Sequence, residues 1–132
     1  MRTIALRFAP GTDLRSALEA VLAQHGAQAG YVMQGIGSLS EARIRFAGMD
    51  ALAELDGDLE LLTLGGSLSP DGVHLHLSVA DAQGHVTGGH MGPGCIVRTT
   101  AEVLVALLPD YRFSREIDPA SGFKELSIKP AS

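Results

Sequence analysis

Val73-His74-Leu75-His76-Leu77-Ser78-Val79-Ala80, followed by Asp81-Ala82-Gln83-Gly84-His85 and Gly88-Gly89-His90, is the stretch on which the fold turns. Strict alternation from 73 to 80 is the mark of a half-buried strand, and residues two apart on a strand share a face. His74 and His76 therefore point the same way. Asp81 to His85 reads as a three-residue hairpin loop, a type I turn with Gly84 in the left-handed position. Pairing Asp81 with His85 puts His76 opposite His90. Cross-strand neighbours stand roughly 5 Å apart at Cβ. Three imidazoles then meet on one patch of a two-stranded ribbon, the arrangement of a three-histidine metal site with zinc as the first choice. Spacing alone also allows the plainer reading, a packed polar cluster. His25, in the last turn of an expected helix, and His85, just after the turn, are read as structural or incidental.

Outward from the hairpin, alternation recurs. Residues 2–8 read as a strand, as do 31–33 and 42–46. Gln34-Gly35-Ile36-Gly37-Ser38-Leu39 between the last two is a glycine-rich bend, read as a bulge in preference to an anion-binding loop. Leu14, Ala17, Leu18, Val21 and Leu22 recur at helical spacing, so a helix capped by Thr12 or Asp13 is expected to run to about Gln24 and stop at Gly26. Residues 50–55 are expected to be a short helical or irregular connection. Residues 59–68 read as a glycine-interrupted strand, and 99–108 as a long buried strand with helix as the alternative. Tyr111 to Glu116 alternates again, and Phe123 to Ile128 is a closing strand. The resulting expectation is an α+β fold, a largely antiparallel sheet with one main flanking helix, in a single domain covering residues 1–132.

Composition narrows the function. The chain has 132 residues, 45% of them hydrophobic, which is enough for a core that needs neither metal nor disulfide to fold. Charged residues make up 19% and glycine contributes 16 residues, which points to tight turns and to surface buried between subunits. The lone Cys95 excludes an internal disulfide, fits a reducing compartment and reads as a small buried hydrophobe. No apolar run approaches the ~20 residues of a membrane span, and residues 1–8 alternate in a way no signal peptide does, so a cytoplasmic protein is expected. Ten basic residues against fifteen acidic ones give a net charge of −5 without any basic block. Arg43 and Arg45 share a strand face and read as solvated. This balance argues against nucleic acid as a partner, since duplex affinity comes largely from Lys and Arg on phosphates.

Several segments together resemble the plant-and-prokaryote conserved domain family, known as PPC or DUF296. They are Gly35-Ile36-Gly37-Ser38-Leu39, Leu59-Glu60-Leu61-Leu62-Thr63-Leu64-Gly65-Gly66-Ser67, and Asp71 to Asp81 with its His-x-His-x-Ser core. Gly88-Gly89-His90, Thr100-Ala101-Glu102-Val103 and Gly122-Phe123-Lys124-Glu125-Leu126 continue the match over nearly the whole chain. The resemblance implies a mixed sheet with a flanking helix and assembly as a homotrimer. It also implies that His74, His76 and His90 match the family's three histidines, for which zinc binding has been suggested. Plant members join this domain to an Arg-Gly-Arg-Pro element that reads DNA, and this chain has none.

Three classes of function remain open on this reading. One is a non-catalytic trimeric module that binds a metal and a small molecule or partner. Another is a metal-dependent hydrolase or lyase acting on a small metabolite. Three protein ligands leave a fourth zinc position open, Glu60 or Glu102 would serve as general base, and Arg115 would hold an anionic substrate. The plainer reading of those three residues is an ion pair within the sheet or at a subunit interface. The last class is a DNA-associated protein, disfavoured by charge and by the missing element.

Overall fold

Alternating residues dominate the chain, and the computed structural model, which describes residues 1–132, realises them as eight strands. In chain order these are β1 (Arg2–Phe8), β2 (Gly30–Arg45), β3 (Leu52–Ser69), β4 (Gly72–Ala80), β5 (Val86–Met91), β6 (Ile96–Leu107), β7 (Tyr111–Ile117) and β8 (Lys124–Pro130). Two short helices, α1 (Leu14–Glu19) and α2 (Val21–Gln24), follow β1. Six strands form one sheet in the order β1-β6-β2-β3-β4-β5, and β5 returns to pair with the end of β2. That return closes a ring of β2, β3, β4 and β5. The last two strands, β7 and β8, pair only with each other.

Every strand pair is antiparallel, which corrects the mixed sheet implied by the family resemblance. The one long connection, residues 9–29 with α1 and α2, carries the chain from β1 past β6 to β2, and because β6 lies between those two strands and is antiparallel to both, no parallel pair forms.

The single flanking helix is also corrected. Asp13 caps α1 as expected, accepting from the Ser16 N–H at 3.2 Å. At Ala20, however, the backbone N–H donates to the Ala17 carbonyl, an i→i−3 bond that tightens the turn and separates α1 from α2. Leu14 and Leu18 on α1 and Val21 and Leu22 on α2 are all buried. The break lets both pieces seat their apolar residues on the sheet. The fold is thus largely β, with two helical turns as a small cover.

Two connections differ from expectation as well. The segment 50–55 contributes the start of β3, because Leu52, Ala53, Glu54 and Leu55 pair with Arg45, Ile44, Arg43 and Ala42. The glycine-rich segment at 34–39 carries the expected bulge, but it does not divide two strands. It is a bulged part of one long β2, with register shifts against β6 between Val32 and Gln34 and between Gly37 and Leu39. Gln34 helps satisfy the disrupted ladder: its Oε1 accepts from the N–H groups of Gly35 and Leu64 at 2.9 and 3.0 Å.

The core lies on the odd-numbered face of β4, where Val73, Leu75, Leu77 and Val79 are buried. They join Leu14, Leu18, Leu39, Ile44, Leu64 and Met91 in one cluster. The even-numbered face of β4 carries His74 and His76. One strand therefore anchors the core with one side and presents the site with the other. No helix is long and apolar enough to cross a membrane.

Candidate metal centre

The histidine hairpin has the register its turn dictates. The Asp81 N–H donates to the His85 carbonyl at 3.0 Å and the Gly84 N–H to the Asp81 carbonyl at 2.9 Å, with Gly84 at φ +80°. Asp81 Oδ1 also accepts from the N–H groups of Gln83 and His85, both at 2.9 Å, which fixes the loop. From this turn β4 and β5 run back so that His76 faces His90. One ligand nitrogen from each of His74, His76 and His90 lies within 4.8 Å of the others. The ring centroids are 4.9 Å apart for His74–His76, 5.4 Å for His74–His90 and 5.8 Å for His76–His90.

A close contact holds β5 in place. A Cβ on Gly89 would stand 2.6 Å from the Arg45 carbonyl oxygen and 2.9 Å from Ile44 Cγ2. Only a residue without a side chain lets β5 approach β2 closely enough for Arg45 to pair with His90.

The electrostatics favour neutral imidazoles. Burial pushes the His74 pKa below its ordinary value, and the neighbouring His76 and Arg115 push it further. His90 is lowered to about 4, by burial first and then by Arg45 and His74. A neutral imidazole is the form that ligates a metal. The donor set therefore fits a divalent transition ion. Three nitrogens bound to one zinc at roughly 2.0–2.1 Å would stand about 3.3 Å apart, and these three lie within 4.8 Å of one another. Imidazole donors also suit nickel, copper or iron.

Of the other residues expected at the site, only Arg115 is brought there. It lines a cleft together with His74 and His90. Glu60 lies elsewhere. It is exposed and pairs with Ala80, four residues along β4 from His76, about 13 Å at strand rise. It lines a different hollow with Ser38, Arg98 and Thr99. Glu102 is exposed as well, opposite Arg7 on β1 and Ile36 on β2, and lines a third hollow with Gln34 and Leu104. Neither carboxylate shares a cavity with the three imidazoles. His25 binds back to its own helix, with Nδ1 2.9 Å from the Val21 carbonyl oxygen. His85 is exposed, its Nδ1 3.6 Å from Asp81. Cys95 is buried, and that burial raises its pKa, so it is a core thiol.

Arg45 is the site residue that the sequence concealed. Arg43 and Arg45 look alike in sequence, yet Arg43 is taken up by Glu41, Glu54 and Asp56 at 3.6, 3.9 and 3.2 Å. Arg45 lines the histidine cleft, with Nη1 donating to the Met49 carbonyl at 3.4 Å. No local signal separates the two. The difference arises from the return of β5 onto the end of β2.

Comparison with known proteins places these features in context. The family model described as the Plants and Prokaryotes Conserved (PCC) domain matches residues 1–109. A protein from Synechococcus sp. named Bifunctional protein GlmU is 50% identical over 132 residues. The match takes in all of this chain and 21% of the relative, so the chain spans about a fifth of that protein's length. Among solved structures, a hypothetical protein from Salmonella enterica superposes with a TM-score of 0.95 at 42% identity, covering 98% of this chain and 94% of its own. A metal-containing protein from Archaeoglobus fulgidus superposes with a TM-score of 0.80 at 26% identity, over 95% of this chain and 92% of its own. Further neighbours at 22–23% identity include proteins described as candidates for DNA binding; at that identity the likeness shows the fold alone.

Proposed function

The chain belongs to the Plants and Prokaryotes Conserved domain family, and from that premise we propose that it is a cytoplasmic, homotrimeric metal-binding domain that presents its ion to a small molecule or partner. His74, His76 and His90 would hold the ion, with zinc as the first choice. The observation that carries this reading is the convergence of three imidazole nitrogens within 4.8 Å, on strands whose opposite face is the core. The metal-containing neighbour from Archaeoglobus fulgidus supports it.

Held by His74, His76 and His90, a zinc ion would supply Lewis-acid chemistry at the position three protein ligands leave open. The chain's own contribution is to favour the neutral form of His74 and His90 and to place Arg45 and Arg115 beside them. A hydrolase or lyase activity is the second reading, and the presence of Arg115 in the histidine cleft favours it. Glu60 and Glu102 stand away from that cleft, so a general base would have to come from another group, and Asp50 and Glu125 line it.

Assembly as a trimer draws support from apolar side chains left in the open. Tyr31, Met33, Ile36, Leu62 and Leu104 are exposed on β2, β3 and β6. Cytoplasmic residence is consistent with a single, buried, unpaired cysteine.

Elemental analysis after metal supplementation tests the proposal. Wild type is expected to retain about one ion per chain, and His76→Ala and His90→Ala to retain none while keeping their strand content. Equal metal in all three proteins, or none in wild type, would contradict it.

A further inference from the structure

The family model stops at residue 109, before β7 and β8 begin. Those two strands pair only with each other, yet they and the loop between them reach back over the histidines. They supply Arg115, Phe123, Lys124 and Glu125 to a cleft of about 690 Å³ that His74 and His90 also line. Arg45 and the loop that follows it, with Asp50, line it as well. That volume lies within the range of small-molecule sites.

Arg45, Arg115 and Lys124 line this cleft with no ion-pair partner, although Asp50 and Glu125 line it too. The chain's ion pairs are made elsewhere, by Arg15, Arg43, Arg98, Lys129 and His85. Both arginines are only partly exposed and both are steadied by backbone. Arg115 Nη2 donates to the Lys124 carbonyl at 2.9 Å, and Arg45 Nη1 to the Met49 carbonyl at 3.4 Å. The Arg115 backbone is fixed in turn, its N–H donating to Asp71 Oδ2 at 3.0 Å. Each guanidinium has five N–H donors in a planar fork, so each keeps donors free. Such a fork matches the two oxygens of a carboxylate or phosphate, and two such forks line this cleft from separate elements.

We propose that this cleft binds a small oxyanion, a carboxylate or a phosphate, gripped by Arg45 and Arg115 with one oxygen reaching the ion held by His74, His76 and His90. The inference rests on the metal reading above and adds the ligand class to it. It also gives the β7–β8 ribbon a role, since without that ribbon the cleft would lose Arg115 and Lys124.

Isothermal titration of the zinc-loaded full chain with oxalate, and separately with inorganic phosphate, tests the proposal, with the metal content of each protein measured alongside. At least one anion is expected to bind wild type at one per chain, and the preferred one distinguishes a carboxylate from a phosphate ligand. Arg45→Gln and Arg115→Gln are each expected to weaken that binding about tenfold or more, as the loss of a charge-assisted hydrogen bond does, without loss of zinc. Arg7→Gln removes a charge outside the cleft, where Nε donates to Thr100 Oγ1, and is expected to bind as wild type does. Zinc-loaded wild type that binds neither anion would overturn the proposal and leave the metal reading standing. So would cleft variants that bind as tightly as wild type. Wild type that holds no zinc would overturn the metal reading, and this inference with it.

Discussion

Arg45, at the end of β2, is the cross-strand partner of His90 on β5, and this pairing joins the first strand of a four-strand ring to its last. Its consequences are structural and chemical. It brings a guanidinium into the histidine cleft, where it helps lower the His90 pKa. It also makes the position of His90 depend on the close approach of Gly89 to the Arg45 carbonyl.

Gly89→Ala tests that dependence. The added methyl would lie 2.6 Å from a backbone oxygen, so a strand must move. Overpacking of this kind costs about 1–3 kcal/mol. A urea titration is expected to show that loss of stability, and metal affinity is expected to fall with it because His90 is displaced. A variant with wild-type stability and metal content would show that β5 has slack at this point.

The histidines also set a pH dependence for the metal-free protein. The pKa values of His74 and His90 are lower in the folded chain than the ordinary 6.5, so below that value the unfolded chain binds more protons. Their contribution to stability is complete above about pH 6.5 and is lost as pH falls toward 4. Denaturant midpoints of the apo-protein are expected to drop across that window by more than those of His90→Gln. Identical pH profiles for the two would remove His90 from the account.

Assembly is the next expectation. Light scattering at micromolar concentration should give three times the chain mass of 13.8 kDa. Met33→Asp, which places a charge among the exposed apolar residues of β2, should lower that mass. A wild-type mass of one chain would contradict the trimer.

Nucleic acid is not expected as a partner. With a net charge of −5, fluorescence anisotropy at physiological salt should show no submicromolar binding to duplex DNA. Tight binding with a steep salt slope would reverse this conclusion.

The histidine register was legible in sequence because a local device sets it. Asp81 and Gly84 fix the turn, and the strand period of two then assigns each imidazole its face. The β1 strand was legible for the same reason of simple alternation. The bulge at Gly35 and Gly37 was legible from the glycines, but the continuity of β2 through it was not, because pairing with β3 and β6 on either side holds it as one strand. The break at Ala20 was hidden because the apolar spacing runs straight through it. Glu60 looked like a site residue because it sits inside an apolar strand near the motif in sequence. Its cross-strand partner is Ala80, well along β4 from the histidines. Arg45 and the contribution of β7 and β8 depend on contacts between distant segments, for which no local pattern exists.

Diffraction from crystals of the metal-loaded protein, with anomalous scattering collected at the metal edge, tests the central claim most directly. The account predicts one peak per chain, bonded to nitrogens of His74, His76 and His90 at roughly 2.0–2.1 Å if the ion is zinc. A peak elsewhere, or no peak at the three imidazoles under saturating metal, would contradict it.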